Sequence, residues 1–417
     1  MAEWQWKRWT AVERIAAGEL SMVEAARAVG VSVRQLRRLV HAIKADGQAA
    51  LQHGNRGRLP ANKLAPTTIA RIVTLRQTTY VDFNDAHFAD KLRGETPPIV
   101  VSVATVRRIL RGAKVPARWQ RRPRQHRRRR DRRAQAGQLL LWDGSHHDWL
   151  EGRGPWLCLV GAIDDATGDL LPGAHFGAQE CAAAYLRVLA AIVTTHGVPW
   201  SIYMDRHGAL KRNDAHWTVA EELRGRQDPT QVGGALEALG IEAIYALSPQ
   251  AKGRVERLWG TLQDRLVSEL RFANACTMDD ANLVLTRHAP EHNARFAVAA
   301  REPQLAWRAV PRGVDVARLC SFRYDATVLK DNTVRLGGTI VLDIPPGPRG
   351  RSYADRRVEV RQLLDGAWRV YLGDQLLATA PATTHGELRA LPRRKRGRGT
   401  APAPAAPPEW TTEAPPG

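Results

Sequence analysis

The block RWQRRPRQHRRRRDRR at residues 118–133 constrains this chain most, because ten arginines against one aspartate cannot be buried in any core. So many like charges repel one another and have no apolar surface to cover. The segment is therefore expected to be an irregular linker that tracks a polyanion, and it cuts the 417 residues into a front and a back. The charge divides at the same place. Residues 1–136 hold 29 Lys or Arg against 10 Asp or Glu, whereas the rest hold 33 against 32. The net charge of +20 thus belongs almost wholly to the front third, and nucleic acid is the partner such a front attracts.

The front is helical and carries its own punctuation. SMVE from Ser21 and SVRQ from Ser32 each set a hydroxyl three residues before a Glu or Gln, the capping-box pattern that opens a helix. Two starts this close imply a tight turn. Ala26 is small enough for a helix crossing, Gly30 suits the turn, and Leu36 and Leu39 fall on one inward face. The pattern predicts a helix-turn-helix whose second helix offers Arg34, Arg37 and Arg38 to DNA. A plain three-helix bundle has the same periodicity, and the basic excess tips the reading toward DNA. A weaker second copy follows, ending in SVATVRRILRG, where Ser102 caps a helix bearing Arg107, Arg108 and Arg111.

From Leu139 the texture changes. The apolar segments LLLWDG, WLCLVGAIDDATG and LPGAHF precede a helical AAAYLRVLAAIVTTHG, then WSIYMD, IEAIYALSP and a long helical GRVERLWGTLQDRLVSELR, which together predict an α/β layer with a sheet of mixed direction. Past about residue 315 the pattern is all strand with turn signals at DN, GG and DG, as in a small β-barrel. The end is rich in Pro and Ala and reads as a disordered tail. The chain is therefore multidomain. We expect helix-turn-helix modules at 1–55 and 60–115, an Arg-rich linker at 116–136, an α/β core at 137–300, a β-barrel at 315–380 and a tail at 381–417.

Several function classes fall away. No apolar run reaches the roughly 18 residues of a membrane span, and MAEWQWKRWT lacks the apolar centre of a signal peptide. No membrane partner is expected, and the chain reads as cytoplasmic, associated with the nucleoid when on DNA. Cys158, Cys181, Cys276 and Cys320 lie far apart without a CxxC pair, so they read as small core residues and not as a disulfide framework or a thiolate zinc site. His146 and His147 beside Asp148 suggest zinc only weakly, since adjacent residues of a strand point to opposite faces. A hydrogen-bonding role near the substrate suits His146 better. Asp164 and Asp165 in IDDATG read as turn formers.

Three carboxylates stand where elements begin or end: Asp143 after an apolar strand, Asp205 after WSIYM, and Glu256 in a helix just past the turn SPQAKG. Acids at the ends of neighbouring strands, with one more from a crossing helix, can converge on a hard cation. A pair of Mg²⁺ ions would then clamp the attacking and leaving oxygens of a phosphodiester displacement. An apolar strand could tolerate a terminal Asp143 on those terms.

The segments DGSHHDW, YMDRHG and SPQAKGRVERLWGTL resemble the Asp, Asp, Glu core of retroviral-integrase-type transposases, specifically those of bacterial insertion sequences of the ISNCY type. SPQAKGRVE is the most specific piece, because such enzymes commonly carry a Pro-Gln-x-x-Gly turn before their glutamate. The resemblance covers most of the chain. It implies a helix-turn-helix front, an integrase core of ribonuclease H-like fold and a small barrel behind, with Asp143, Asp205 and Glu256 as catalytic metal ligands for two Mg²⁺ ions or for Mn²⁺. It implies cleavage and strand transfer at element ends, with double-stranded DNA of ends and target as the partner. One trio per chain makes the working species at least a homodimer. Two features depart from the pattern. Fifty-one positions separate Asp205 from Glu256, so 211–231 reads as an insertion, and Gln263 stands where many relatives have a basic residue. Lys252, one turn before Glu256, is expected to contact DNA in its place, and His207 to support Asp205 or touch DNA. The competing functions are a non-catalytic DNA-binding regulator and a nuclease without strand transfer.

Overall fold

A computed structural model describes residues 2–52, 63–119, 130–212, 217–246 and 253–388. The chain falls into two compact units, Met1–Val73 and Thr74–Gly417. The first unit holds α1 (Glu3–Ala16), α2 (Met22–Val29) and α3 (Val33–Asp46). Both expected capping boxes form. Ser21 Oγ accepts from Glu24 N at 3.3 Å while the Glu24 carboxylate accepts from Ser21 N at 2.9 Å, and Ser32 with Gln35 repeats the pair. Gly30 ends α2 at φ 73°, a left-handed conformation that an L side chain resists. Ala26 and Leu36 are buried where the helices cross, with Leu39 partly buried beside them. This is a helix-turn-helix built from locally determined ends.

After α4 (Pro66–Thr78), the larger unit continues with α5 (Asp85–Arg93) and α6 (Val103–Gly112), and Ser102 caps α6 as expected. Next come β1 (Leu139–His147), β2 (Leu157–Asp164), β3 (His175–Gly177), α7 (Ala182–Thr195), β4 (Ser201–Met204), α8 (Val219–Arg224), α9 (Gln231–Ala238), β5 (Glu242–Tyr245), α10 (Gly253–Phe272) and α11 (Met278–Phe296). The sheet runs β3-β2-β1-β4-β5. Its first three strands are antiparallel, and β1, β4 and β5 are parallel, so the sheet is mixed. Both faces are covered, which is why β1 opens on an uninterrupted apolar run, Leu139 to Trp142. Leu140 and Trp142 pack toward α7 and α9, whereas Leu139 and Leu141 pack toward α10 and α11.

Helices α5 and α6 belong to this larger unit. The link is ionic as well as apolar: Lys91 Nζ lies 2.7 Å and His87 Nε2 2.6 Å from the Glu269 carboxylate of α10, and Asp90 pairs with Arg265 and Arg295. Both described ends of the Arg-rich segment are also pinned. Arg118 donates to Ser268 Oγ at 2.8 Å, and Arg130 donates to Asp165 at 2.6 Å. Residues 120–129 lie outside the described chain.

Beyond α12 (Val316–Leu319) come β6 (Phe322–Thr327), β7 (Thr333–Leu336), β8 (Ile340–Asp343), β9 (Arg357–Gln362), β10 (Trp368–Leu372) and β11 (Gln375–Ala380). The expected barrel is not closed. The described strands form a four-stranded sheet, β11-β10-β9-β6, and a separate β7-β8 hairpin over one shared core. Pro345, Pro346 and Pro348 follow β8, and residues without an N–H cannot carry a ladder from β8 into β9. Residues 381–388, expected in the tail, lie on the sheet instead: Gln362 Nε2 donates to His385 O, and Leu388 N donates to Tyr324 Oη. The rest of the tail is outside the described residues. No described helix is long and apolar enough to cross a membrane.

Candidate active site

Parallel pairing of β1 and β4 runs from Leu139 opposite Ser201 to Leu141 opposite Tyr203, and Asp143 and Asp205 each lie two residues beyond that last pair. Asp205 directly follows β4, whereas Asp143, expected at a strand end, is the fifth of the nine residues of β1, which runs on to His147. Side chains alternate along β1, so Asp143 shares the α10 face with Leu139 and Leu141. There Trp259 Nε1 donates to Asp143 Oδ2 at 3.0 Å, and one turn further Gln263 Nε2 donates to Ser145 Oγ at 3.1 Å. These two bonds stitch α10 to β1. Glu256, exposed in the first turn of α10, is three residues before Trp259 and hence on the same side of the helix. Among the described residues no three His, Cys, Asp or Glu stand together as a finished metal cage.

Asp205 is held by its own loop. Its Oδ1 accepts from His207 N at 2.9 Å, and His207 Nδ1 accepts from Ala209 N at 3.3 Å. The imidazole faces a fourth acid that the sequence did not reveal, Glu180, with Nδ1 3.5 Å from Oε1. Burial pushes the Glu180 carboxyl above its usual range, and the negative charge of Asp205 and Asp143 pushes the same way. Tyr185, which donates to Glu180 at 2.5 Å, is raised well above its ordinary value by burial and then by Glu180. The Cys158 thiol is pushed up to about 12 by burial, with Glu180 and Asp143 adding to it, and is no nucleophile at neutral pH. Glu180 is largely buried, and the sequence hint was an acid placed directly before an apolar helix.

The Asp164–Asp165 turn forms as expected and does more than turn. Asp164 accepts from Ala166 N and Thr167 N, and also from Gly137 N at 2.7 Å. Asp165, fully buried, accepts from Arg130, from Arg133 N and from Arg254, two residues before Glu256. The linker's end and the first turn of α10 therefore share one carboxylate. His146 is exposed on the sheet face away from Asp143, stacked near Trp156 at 5.4 Å between ring centres. Asp148 caps its own turn by accepting from Gly152 N. Of the four cysteines, Cys158 and Cys320 are buried as expected, whereas Cys276 is exposed at a loop. Lys252 lies outside the described residues.

The protein y4bF of Sinorhizobium fredii, described as a transposase, is 34% identical over 379 residues, which is 87% of this chain and 79% of the relative. The chain belongs to this transposase family. The transposase for insertion sequence IS1202 of Streptococcus pneumoniae is 32% identical, covering 70% of the present transposase and 68% of its own length. A winged helix-turn helix family matches residues 8–70 of the transposase. Among solved structures, a chain of the simian T-cell lymphotropic virus intasome overlays 75% of the transposase and 99% of itself at 14% identity and a TM-score of 0.30. The HTLV-2 integrase catalytic core in complex with magnesium overlays 37% and 88% at 16% identity and 0.25. The geometry of the site rests on the transposase's own residues and not on these overlays. In the matched front region, Arg34, Arg37 and Arg38 are all exposed on α3. On α6, Arg108 is exposed, while Arg107 and Arg111 lie 3.6 Å and 2.6 Å from Asp85.

Proposed function

We propose that this transposase cuts and joins DNA at the ends of a mobile element, with Asp143, Asp205 and Glu256 as catalytic carboxylates and ligands of a divalent cation pair, Mg²⁺ or Mn²⁺. What supports the reading is that Asp143 and Asp205 each stand two residues beyond the last β1–β4 pair, Leu141 opposite Tyr203, and that Trp259 ties Asp143 to the helix that bears Glu256. The donor set fits a hard cation: it is all carboxylate oxygen, with no thiolate and no paired imidazole. Bound there, the cations would supply an activated water and neutralise charge at both oxygens of the displaced phosphodiester.

The chain's own residues do the positioning. Trp259 limits the rotation of the Asp143 carboxylate, and the His207 N–H limits that of Asp205. Gln263 on Ser145 and Arg254 on Asp165 hold α10 at two heights, so Glu256 is presented from a fixed first turn. Water and then the freed 3′ hydroxyl act as nucleophiles, so no covalent protein intermediate is needed. We read the central sheet as the ribonuclease H-like sheet of an integrase core, and the strands after residue 315 as a small opened barrel. We place the end-binding module in the first unit, the catalytic core at 137–300 with α5 and α6 packed against it, and the C-terminal strands from 315 to 388. Arg34, Arg37 and Arg38 read the element ends, Arg107, Arg108 and Lys252 contact the phosphate backbone, and His207 supports the substrate side, whereas His146, on the opposite sheet face, does not. Two ends joined to one target need two trios, so the working species is at least a dimer.

The test is substitution. Asp143→Asn, Asp205→Asn and Glu256→Gln should each abolish 3′-end cleavage and strand joining on end-sequence duplexes while leaving end binding intact. Equal loss of binding would overturn the assignment. For assembly, a Glu256→Gln chain mixed with a chain carrying Arg34→Ala, Arg37→Ala and Arg38→Ala should regain joining. Failure to complement, with only monomers on paired-end DNA, would refute the dimer.

A further inference from the structure

We propose that Glu180 is a positioning residue of the catalytic centre: its carboxylate fills the slot left by Gly144 beside Asp143 and, held by Tyr185, steadies His207 and the loop that carries Asp205. The inference rests on the reading of Asp143 and Asp205 as metal ligands, and it concerns a residue outside the trio.

Glu180 directly precedes Cys181, the N-cap of α7, but it does not cap that helix, whose cap position receives no side-chain bond. Both carboxylate oxygens turn toward the strand ends. Oε1 accepts from Tyr185 Oη at 2.5 Å and lies 3.5 Å from His207 Nδ1, and Oε2 would stand 2.7 Å from a Cβ built on residue 144. Its side chain is only 21% exposed. Among the described residues the one basic side chain within 4 Å of it is His207, through the same Nδ1 that Ala209 N approaches, and no Lys or Arg pairs with it. A carboxylate with a purely structural task would gain more from a guanidinium or from helix N–H groups. Glu180 instead faces two further acids.

The contacts form a chain that begins on a rigid surface. Tyr185 is buried and stacks on Trp142 of β1, with ring centres 5.4 Å apart and planes 23° apart. It fixes Glu180, Glu180 faces the His207 ring, and the His207 N–H fixes Asp205 Oδ1. Asp205 follows a strand of only four residues, so its rotamer depends on that loop more than on the sheet. Gly144 is the condition for the arrangement, since any side chain there would collide with the Glu180 carboxylate. Loss of a group that orients a metal ligand typically weakens metal affinity by about 10–100-fold.

The experiment uses the full chain and Mn²⁺, with binding followed by electron paramagnetic resonance and melting temperature measured in parallel. Glu180→Ala and Gly144→Ala should each weaken Mn²⁺ binding by about tenfold. The double variant should be little weaker than Glu180→Ala alone, because the two closest atoms to a Cβ at 144 belong to the Glu180 carboxylate, with Cys158 Sγ next at 3.3 Å. Glu180→Gln, which can still accept from Tyr185, should retain more affinity than Glu180→Ala and melts as the parent chain does. Asp205→Asn separates the two levels. If Asp205→Asn binds Mn²⁺ as the parent does, the metal reading fails and this inference with it. If Asp205→Asn loses the ion while Glu180→Gln, Glu180→Ala and Gly144→Ala all bind as the parent does, or if the Glu180→Ala and Gly144→Ala losses add, Glu180 is not a positioning residue and the metal reading stands.

Discussion

Acidification should cost the larger unit much of its stability through two histidines one turn apart on α11. His288 and His292 are 5% and 3% exposed, and among the described residues neither ring nitrogen of His288 has a hydrogen-bond partner. Burial holds both imidazoles down to about 4, from an ordinary 6.5. Around His288, Glu269 favours the charged form, while His87, His292 and Arg265 oppose it; around His292, Arg265 opposes it and Asp169 favours it. The folded value lies below the unfolded one, so as pH falls through 6.5 the unfolded chain takes up the proton first. Stability is lost from there down to about pH 4 and is level below. Between pH 7 and pH 5 that is about 2 kcal/mol for each histidine, or about 4 kcal/mol together. Native stabilities are about 5–15 kcal/mol, so the loss is large. Carboxylates also titrate as the solution is acidified, and the double variant His288→Leu/His292→Leu isolates the imidazoles. Urea unfolding followed by tryptophan fluorescence at pH 7 and pH 5 should show the parent losing about 4 kcal/mol more than the variant. Equal losses in the two proteins would show that these rings are not kept neutral by burial.

Three further outcomes follow from the site. Trp259→Phe keeps the ring and removes the N–H that holds Asp143, so cleavage should slow by about 10–100-fold, the worth of one bond to a charged acceptor, with melting little changed; a parent-like rate refutes the tether. Asp165→Asn leaves Arg254 and Arg130 without their shared counter-charge and should cost about 2–3 kcal/mol by thermal unfolding, with slower cleavage because the first turn of α10 is loosened; unchanged melting would mean the pair is solvated. Alanine at Arg34, Arg37 and Arg38 together should lower affinity for end sequence more than for random duplex in titrations at fixed salt, whereas a uniform loss on both would assign them to phosphate.

What the sequence determined by itself is whatever a few neighbouring residues decide. The Ser21 and Ser32 caps, the turn at Gly30, the buried Leu36 and the Asp164 turn all depend on bonds within about four positions, and each forms as read. The apolar run before Asp143 and the acid after WSIYM were legible because a carboxylate against a buried strand is a local anomaly, although β1 does not end at Asp143 and runs on to His147. α11 was not legible, because its buried face includes His288 and His292 and its interior holds Pro290, so no apolar stripe marks it. Tertiary structure alone decided what meets across the chain. Only the parallel pairing of β1 with β4 sets the strands that carry Asp143 and precede Asp205 next to each other, and only the packing of α10 brings Trp259 to Asp143, 116 positions away. The slot that Gly144 offers Glu180 and the carboxylate that joins Arg130 to Arg254 are likewise long-range. Such contacts leave no periodic trace, because each arises from one side chain meeting one other after the whole sheet has been ordered, and no local preference encodes the meeting.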